Sequence, residues 1–258
     1  MKDNRLIDRI KVILIDVLFP IIIYIFITFF VSGISESIQY FFSYKINIIL
    51  LTTISSFITA IVLLPIYIKN VENRHYYIEK FDTKNIKYII GLGVSLCLFF
   101  NVLLILCNIV QNDQVAIQVS DSIMELNPIV ALISVSIIVP LCEELIFRGL
   151  LFKSIEYKTN FLLAAFISSF LFALMHGNIS QGIYAFFIGF VLCYVFNRFG
   201  GLKYSYFLHL VMNFSSLFFA GFFVPDESKR RDQFIILIVS LVLFIITAYR
   251  IKQTEKRV

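Results

Sequence analysis

A run of about twenty predominantly apolar residues lets an α-helix cross the hydrocarbon core of a bilayer, and such runs recur through this sequence. They fall at 12–32, 46–68, 88–110, 128–152, 161–176, 181–197, 204–224 and 234–249. Little chain is left over. With 59% hydrophobic residues, 15% charged residues and a mean hydropathy of +0.89, the composition excludes an ordinary soluble domain. The sequence therefore predicts an all-α membrane protein, a bundle of eight transmembrane helices. Segments 161–176 and 181–197 are short and joined by only a few residues around Gly177, so they are expected to form a tight helical hairpin. The opening MKDNRLIDRIK is basic, but the apolar run after it is too long for a signal-peptide core and lacks a small-residue cleavage site. The first helix is expected to stay as an anchor.

Basic residues set the orientation, because Lys and Arg are retained on the cytoplasmic side. With the N-terminus inside, 17 of the 22 Lys and Arg fall in inner segments and 4 in outer loops, and Arg148 lies within a span. Both termini are thus expected in the cytoplasm, with 111–127 outside. The net charge of +5 is explained by this topology signal and by attraction to anionic lipid, and no nucleic acid is implied. Cys97, Cys107, Cys142 and Cys193 all lie in apolar spans and form no CxxC pair, so neither a disulfide nor a cysteine-metal site is indicated.

The informative residues are the polar ones inside spans, where each ionisable group is costly by about 2.5–3.5 kcal/mol at the bilayer centre and is functional by default. In "VPLCEELIFRGL", Glu144 and Arg148 are four apart and share a helix face as an ion pair, whereas Glu143 points elsewhere and has no partner in its own segment. Pro140 removes a backbone donor one turn earlier and tends to open the helix beside Glu143. Phe172 lies one turn before His176, and His209 one turn before Asn213, giving FxxxH and HxxxN on single faces. His75, in the basic inner loop, reads as solvated. Taken singly, each feature has a structural reading: an ion pair, a histidine bonded to a neighbouring helix, an asparagine gluing helices.

Taken together and in this order, EExxxR at 143–148, FxxxH at 172–176 and HxxxN at 209–213 resemble the CPBP family of intramembrane proteases, the CAAX-protease and bacteriocin-processing enzymes often called Abi. The resemblance covers residues 125–222 as a catalytic core, between three N-terminal helices (1–124) and a last helix with a basic tail (223–258). It implies peptide hydrolysis at a site opening toward the cytoplasm. Glu143 would be the general base on water and His176 its partner. His209 and Asn213 would stabilise the oxyanion, with Glu144, Arg148 and Phe172 in support. The chemistry is coherent, since hydrolysis needs an activated water, a proton for the leaving amine and donors at the developing oxyanion. No HExxH pair is present, and a carboxamide is a poor zinc ligand, which favours a glutamate-dependent mechanism. Zinc on Glu143, His176 and His209 stands as the alternative.

The expected substrate is a peptide or membrane-protein precursor in a bacterial plasma membrane, matured as a secreted peptide or pheromone or cleaved in bacteriocin self-immunity. The competing class is a non-enzymatic scaffold or transporter component, although no repeats or paired broken helices are visible. One geometric conflict stands out: at 1.5 Å per residue, Glu143 lies about 15 Å from the inner boundary, His209 about 8 Å and His176 about 22 Å. A common site requires "KSIEYKTN" and the start of "FLLAAF" to extend on the cytoplasmic side, or the helices to tilt.

The topology is open to direct test. A cysteine at Asp121 in a cysteine-free background should react with an impermeant thiol reagent in intact cells, and one at Lys80 should not. The reverse pattern would invert the orientation.

Overall fold

The computed structural model describes residues 15, 17–73, 83–223 and 227–254. His75, the first basic segment, residues 74–82 of the Lys69 to Lys87 loop and the last residues of the basic tail lie outside them. Nine helices account for nearly all of the described chain, which contains no strand: α1 Phe19–Phe42, α2 Ile48–Asn73, α3 Ile86–Leu106, α4 Gln114–Met124, α5 Pro128–Lys158, α6 Phe161–Leu174, α7 Ile179–Phe199, α8 Leu202–Phe218 and α9 Arg230–Gln253. Six of these, α1, α2, α3, α5, α7 and α9, are long and apolar enough to cross a membrane. The protein is a multi-pass membrane protein.

Each predicted segment overlaps a helix, but the lengths redistribute. α6 has 14 residues and α8 has 17, so neither reaches the length of a full span. α5 continues through "KSIEYK" instead of stopping at 152. Segment 111–127, expected to be an outer loop, contains a helix, α4, which lacks a long apolar run but begins at an N-cap, Asp113, whose side chain accepts from the Ala116 N–H. Similar caps start the helices around the site: Asn127 for α5, Asn160 for α6 and Asn178 for α7. Gly200, with φ of 78°, ends α7 in the left-handed conformation, and its N–H bonds to Phe196 O.

α5 lies at the centre of the bundle. Every residue from Leu145 to Phe152 is buried, packed against Leu63 of α2, Phe172 of α6 and Ala185 of α7. A second apolar cluster joins Ile89, Leu92 and Leu96 of α3 to Leu192 of α7, Leu208 of α8 and Ile251 of α9. α1 and α9 sit outermost and expose large side chains such as Phe29 (75%) and Ile238 (61%), surface that only lipid would cover without penalty. α6 and α7 pack backbone to backbone: a Cβ on Gly189 would stand 2.7 Å from the Ser169 Cβ and 2.9 Å from its Cα.

This contact should distinguish two glycines. Gly to Ala in a helix normally stabilises by about 1 kcal/mol. Gly189→Ala should instead destabilise by about 1–3 kcal/mol through overpacking, whereas Gly33→Ala, which meets nothing within 4 Å, should be neutral or stabilising. Thermal denaturation in one detergent makes the comparison.

Candidate active site

Two π-helical stretches interrupt α5, Ile133–Ile138 and Leu145–Phe152, and the six α-helical residues between them, Val139–Glu144, carry both glutamates. Such π insertions rotate the following side chains and often mark functional sites. Here they give the adjacent glutamates different surroundings. Glu144 is fully buried. Its Oε1 lies 2.9 Å from Arg148 Nη1, also fully buried, and accepts from His209 Nδ1 at 3.0 Å. The Arg148 contact is an ion pair without hydrogen-bond alignment, and the guanidinium carbon stands over the Phe172 ring, 4.3 Å from its centroid. The Glu143 side chain keeps 23% of its surface exposed, and its Oε2 faces His209 Nε2 at 3.6 Å, beyond a direct hydrogen bond.

These contacts assign the imidazole protons. Glu144, held ionised by Arg148, can only accept, so His209 carries a proton on Nδ1 and turns Nε2 toward Glu143. His176 donates from Nδ1 to Phe172 O at 2.8 Å, which leaves its Nε2 outward. Both imidazoles meet the Phe172 ring edge-on, with centroids at 4.7 Å for His176 and 5.9 Å for His209. Phe172 is thus the common wall of Arg148 and both histidines. Tyr184 of α7 stands 6.3 Å from the His176 ring, and both Tyr184 and Tyr24 of α1 lie within electrostatic reach of Glu143. The sequence reading missed both tyrosines, since neither forms a local spacing pattern with the three motifs.

The conflict in depth resolves in the connections. Extending α5 to Lys158 puts Glu143 about 22 Å from its C-terminal end, level with His176 about 22 Å along from Phe161. α8 starts deeper, because Leu202 packs at Gly149, nine residues before Lys158. That offset of about 13 Å, added to about 10 Å from Leu202 to His209, brings the second histidine to the same level.

Asn213 is placed differently from the expectation of a free oxyanion donor. Its Nδ2 donates to Val135 O at 2.8 Å. The reason lies in α5: Val139 N–H bonds five residues back to Ser134 O, so the next bond in this π pattern would run from residue 140 to Val135 O. Pro140 has no N–H to give. Asn213 supplies the missing donor from a neighbouring helix. Two turns earlier on α8, Tyr206 also reaches this stretch, its hydroxyl donating to Ile137 O at 3.2 Å. Tyr206, His209 and Asn213 therefore form one face of α8 directed at the irregular part of α5. Tyr206 was legible in principle, three residues before His209 on the HxxxN face.

The zinc alternative finds no ready site. Among the described residues no three His, Cys, Asp or Glu side chains are arranged to hold a metal ion.

The Pro140 and Asn213 pairing has a measurable signature. Asn213→Ala should strand the Val135 carbonyl and destabilise by about 1–3 kcal/mol. In a Pro140→Ala background, where residue 140 regains its N–H, the same substitution should be milder. Equal losses in both backgrounds would break the link.

Residues 125–215 match the family model described as type II CAAX prenyl endopeptidase Rce1-like. A search of curated proteins finds the Bacillus subtilis (strain 168) protein YdiL, named as a candidate membrane peptidase, 31% identical over 103 residues. The alignment covers 40% of this chain, and the chain spans about 40% of that relative's length. No solved structure matches the chain significantly. The matched residues 125–215 hold every site residue named from the sequence, and over that stretch the chain is similar to CAAX-type membrane peptidases, as the three motifs led one to expect.

Proposed function

We propose that this protein is an intramembrane endopeptidase in which Glu143 activates water for attack on a peptide carbonyl. The observation that carries the reading is the division of labour between adjacent carboxylates: Glu144 is sealed by Arg148 and His209, while Glu143 stays partly exposed and faces His209 Nε2. Glu143 takes a proton from water as the C–O bond forms, and returns it to the amine as the C–N bond breaks. His176, with Nδ1 fixed on Phe172 O, offers Nε2 to the same proton transfer. His209, oriented by Glu144 as a serine-protease histidine is by its aspartate, presents Nε2 to the developing oxyanion when protonated. Asn213 spends one amide hydrogen on Val135 O and retains the second for the oxyanion. The mechanism is glutamate-dependent.

The proposed setting is a bundle of eight membrane-embedded helices with both termini in the cytoplasm, residues 125–222 forming the catalytic core and the flanking helices completing the bundle. The 17 to 4 distribution of basic residues supports this orientation. The proposed substrate is a peptide or membrane-protein precursor in a bacterial plasma membrane, cleaved in maturation of a secreted peptide or pheromone or in bacteriocin self-immunity. The family resemblance supports that choice.

Three variants separate the two glutamates. Glu143→Gln should abolish peptide cleavage while the melting temperature stays level or rises, because a carboxylate held only by a 3.6 Å contact to His209 is removed from an apolar setting. Glu144→Ala and Arg148→Ala each strand a buried charge and should destabilise by up to about 3–5 kcal/mol. Cleavage by Glu143→Gln, or unfolding as severe as that of Arg148→Ala, would remove Glu143 from the catalytic role.

A further inference from the structure

Asp113 lies outside all three sequence motifs, at the corner before α4, yet it is bonded to the turn that carries His176. Its Oδ1 accepts from Ala116 N–H at 3.1 Å and caps α4. Its Oδ2 accepts from both the N–H and the hydroxyl of Ser180, each at 2.7 Å, in the first turn of α7. One carboxylate therefore caps two helices. Each helix N-terminus carries about half a positive charge, so two converging termini match a single negative one. These bonds, the Ser180 N–H foremost, hold the Asp113 carboxyl below the usual carboxylate range. Because its pKa is lowered, the stabilisation is present above the ordinary carboxylate range and is lost only as pH falls through the depressed value.

The bonds continue from Ser180 to His176. Asn178, the N-cap of α7, accepts from Gln181 N–H at 2.8 Å and donates from Nδ2 to His176 O at 3.2 Å. Gly177 between them takes a φ of +69°, which lets the chain reverse so tightly. The His176 peptide is thus held by the cap of α7, and the first turn of α7 is held by Asp113. α4 itself does not hang free: at its far end Asn47, whose Oδ1 accepts from Ile49 N–H at the start of α2, donates from Nδ2 to Ser122 O at 2.8 Å and to Glu125 at 3.2 Å. The short helix is tied at both ends across the outer mouth of the bundle.

We propose that Asp113 is a positioning residue for His176: by capping α4 and α7 together it fixes the turn that aims the imidazole at the Glu143 site. The proposal rests on the reading that His176 takes part in peptide hydrolysis. A displaced catalytic group of about 1 Å can lower turnover by about 10²-fold, so the expected effect is on kcat and not on substrate binding.

The test compares Asp113→Ala and Asp113→Asn with Asn160→Ala, which removes the N-cap of α6 at the opposite end from His176. Asp113→Ala should lower kcat by roughly tenfold to a hundredfold with KM changed by less than about twofold. Asp113→Asn, whose single amide oxygen can cap one helix but not both, should fall between. Asn160→Ala should lower the melting temperature without a comparable fall in kcat. Independently of activity, the Nδ1–H resonance of His176, protected by Phe172 O and assigned by its disappearance in His176→Ala, should exchange faster in Asp113→Ala and not in Asn160→Ala. If that resonance responds as stated in a protein that cleaves no peptide, the positioning holds and the protease reading falls. An unchanged resonance, unchanged kcat in Asp113→Ala, or equal kcat losses in the Asp113 and Asn160 variants overturns the proposal.

Discussion

The buried charge on Glu144 is the constraint around which the site is organised. A carboxylate with no solvent exposure needs partners from several directions, and it draws them from two helices: Arg148 from its own and His209 from α8. Arg148, equally buried, in turn needs a surface for its guanidinium face, which Phe172 of α6 provides at 4.3 Å. Breaking any of these contacts leaves a bare charge in a low dielectric, so the positions of α5, α6 and α8 are mutually determined. Glu143 benefits without taking part. It is held one residue from a rigid hub, with only the 3.6 Å contact of its Oε2 to His209 Nε2.

Much of this was legible in the sequence, because the ion pair, FxxxH and HxxxN are all one-turn spacings that survive in any helix. The membrane setting was legible for a similar reason: apolar runs of bilayer length have few other uses. The lengths were less so. Hydropathy marks where a chain can be buried but not where a helix ends, and "KSIEYK" continues α5 because nothing in it breaks a helix, although its charges lie outside any span. α4 escaped notice because its signal is an N-cap at Asp113 followed by eleven residues of mixed character, none of them buried.

The π stretches were illegible. Side chains from other helices bond to carbonyls within them, Asn213 and Tyr206 at Val135 and Ile137, and Ser168 at Phe147 O at 2.8 Å. Pro140 announces that a donor is missing, but not which distant residue replaces it. That partner is a property of tertiary packing. For Asn213 the consequence is a double demand: one amide hydrogen belongs to the architecture of α5, and the proposed oxyanion role falls to the other. The structural and functional readings of that residue are compatible.

The bond between Asn213 and Val135 also spans time. Its partners are separated by 78 residues, so at about 5–20 residues per second the ribosome releases the donor roughly 4–16 seconds after the acceptor. Glu144 waits 65 residues for His209. During that interval α5 has a carbonyl with no N–H to meet it and a buried carboxylate with Arg148 alone, an unfavourable state in lipid. A nascent α5 is better accommodated beside water or polar partners at the insertion machinery than in the open bilayer. Synthesis of α8 then supplies both missing partners from a single face, so final seating of the central helix is tied to completion of the site.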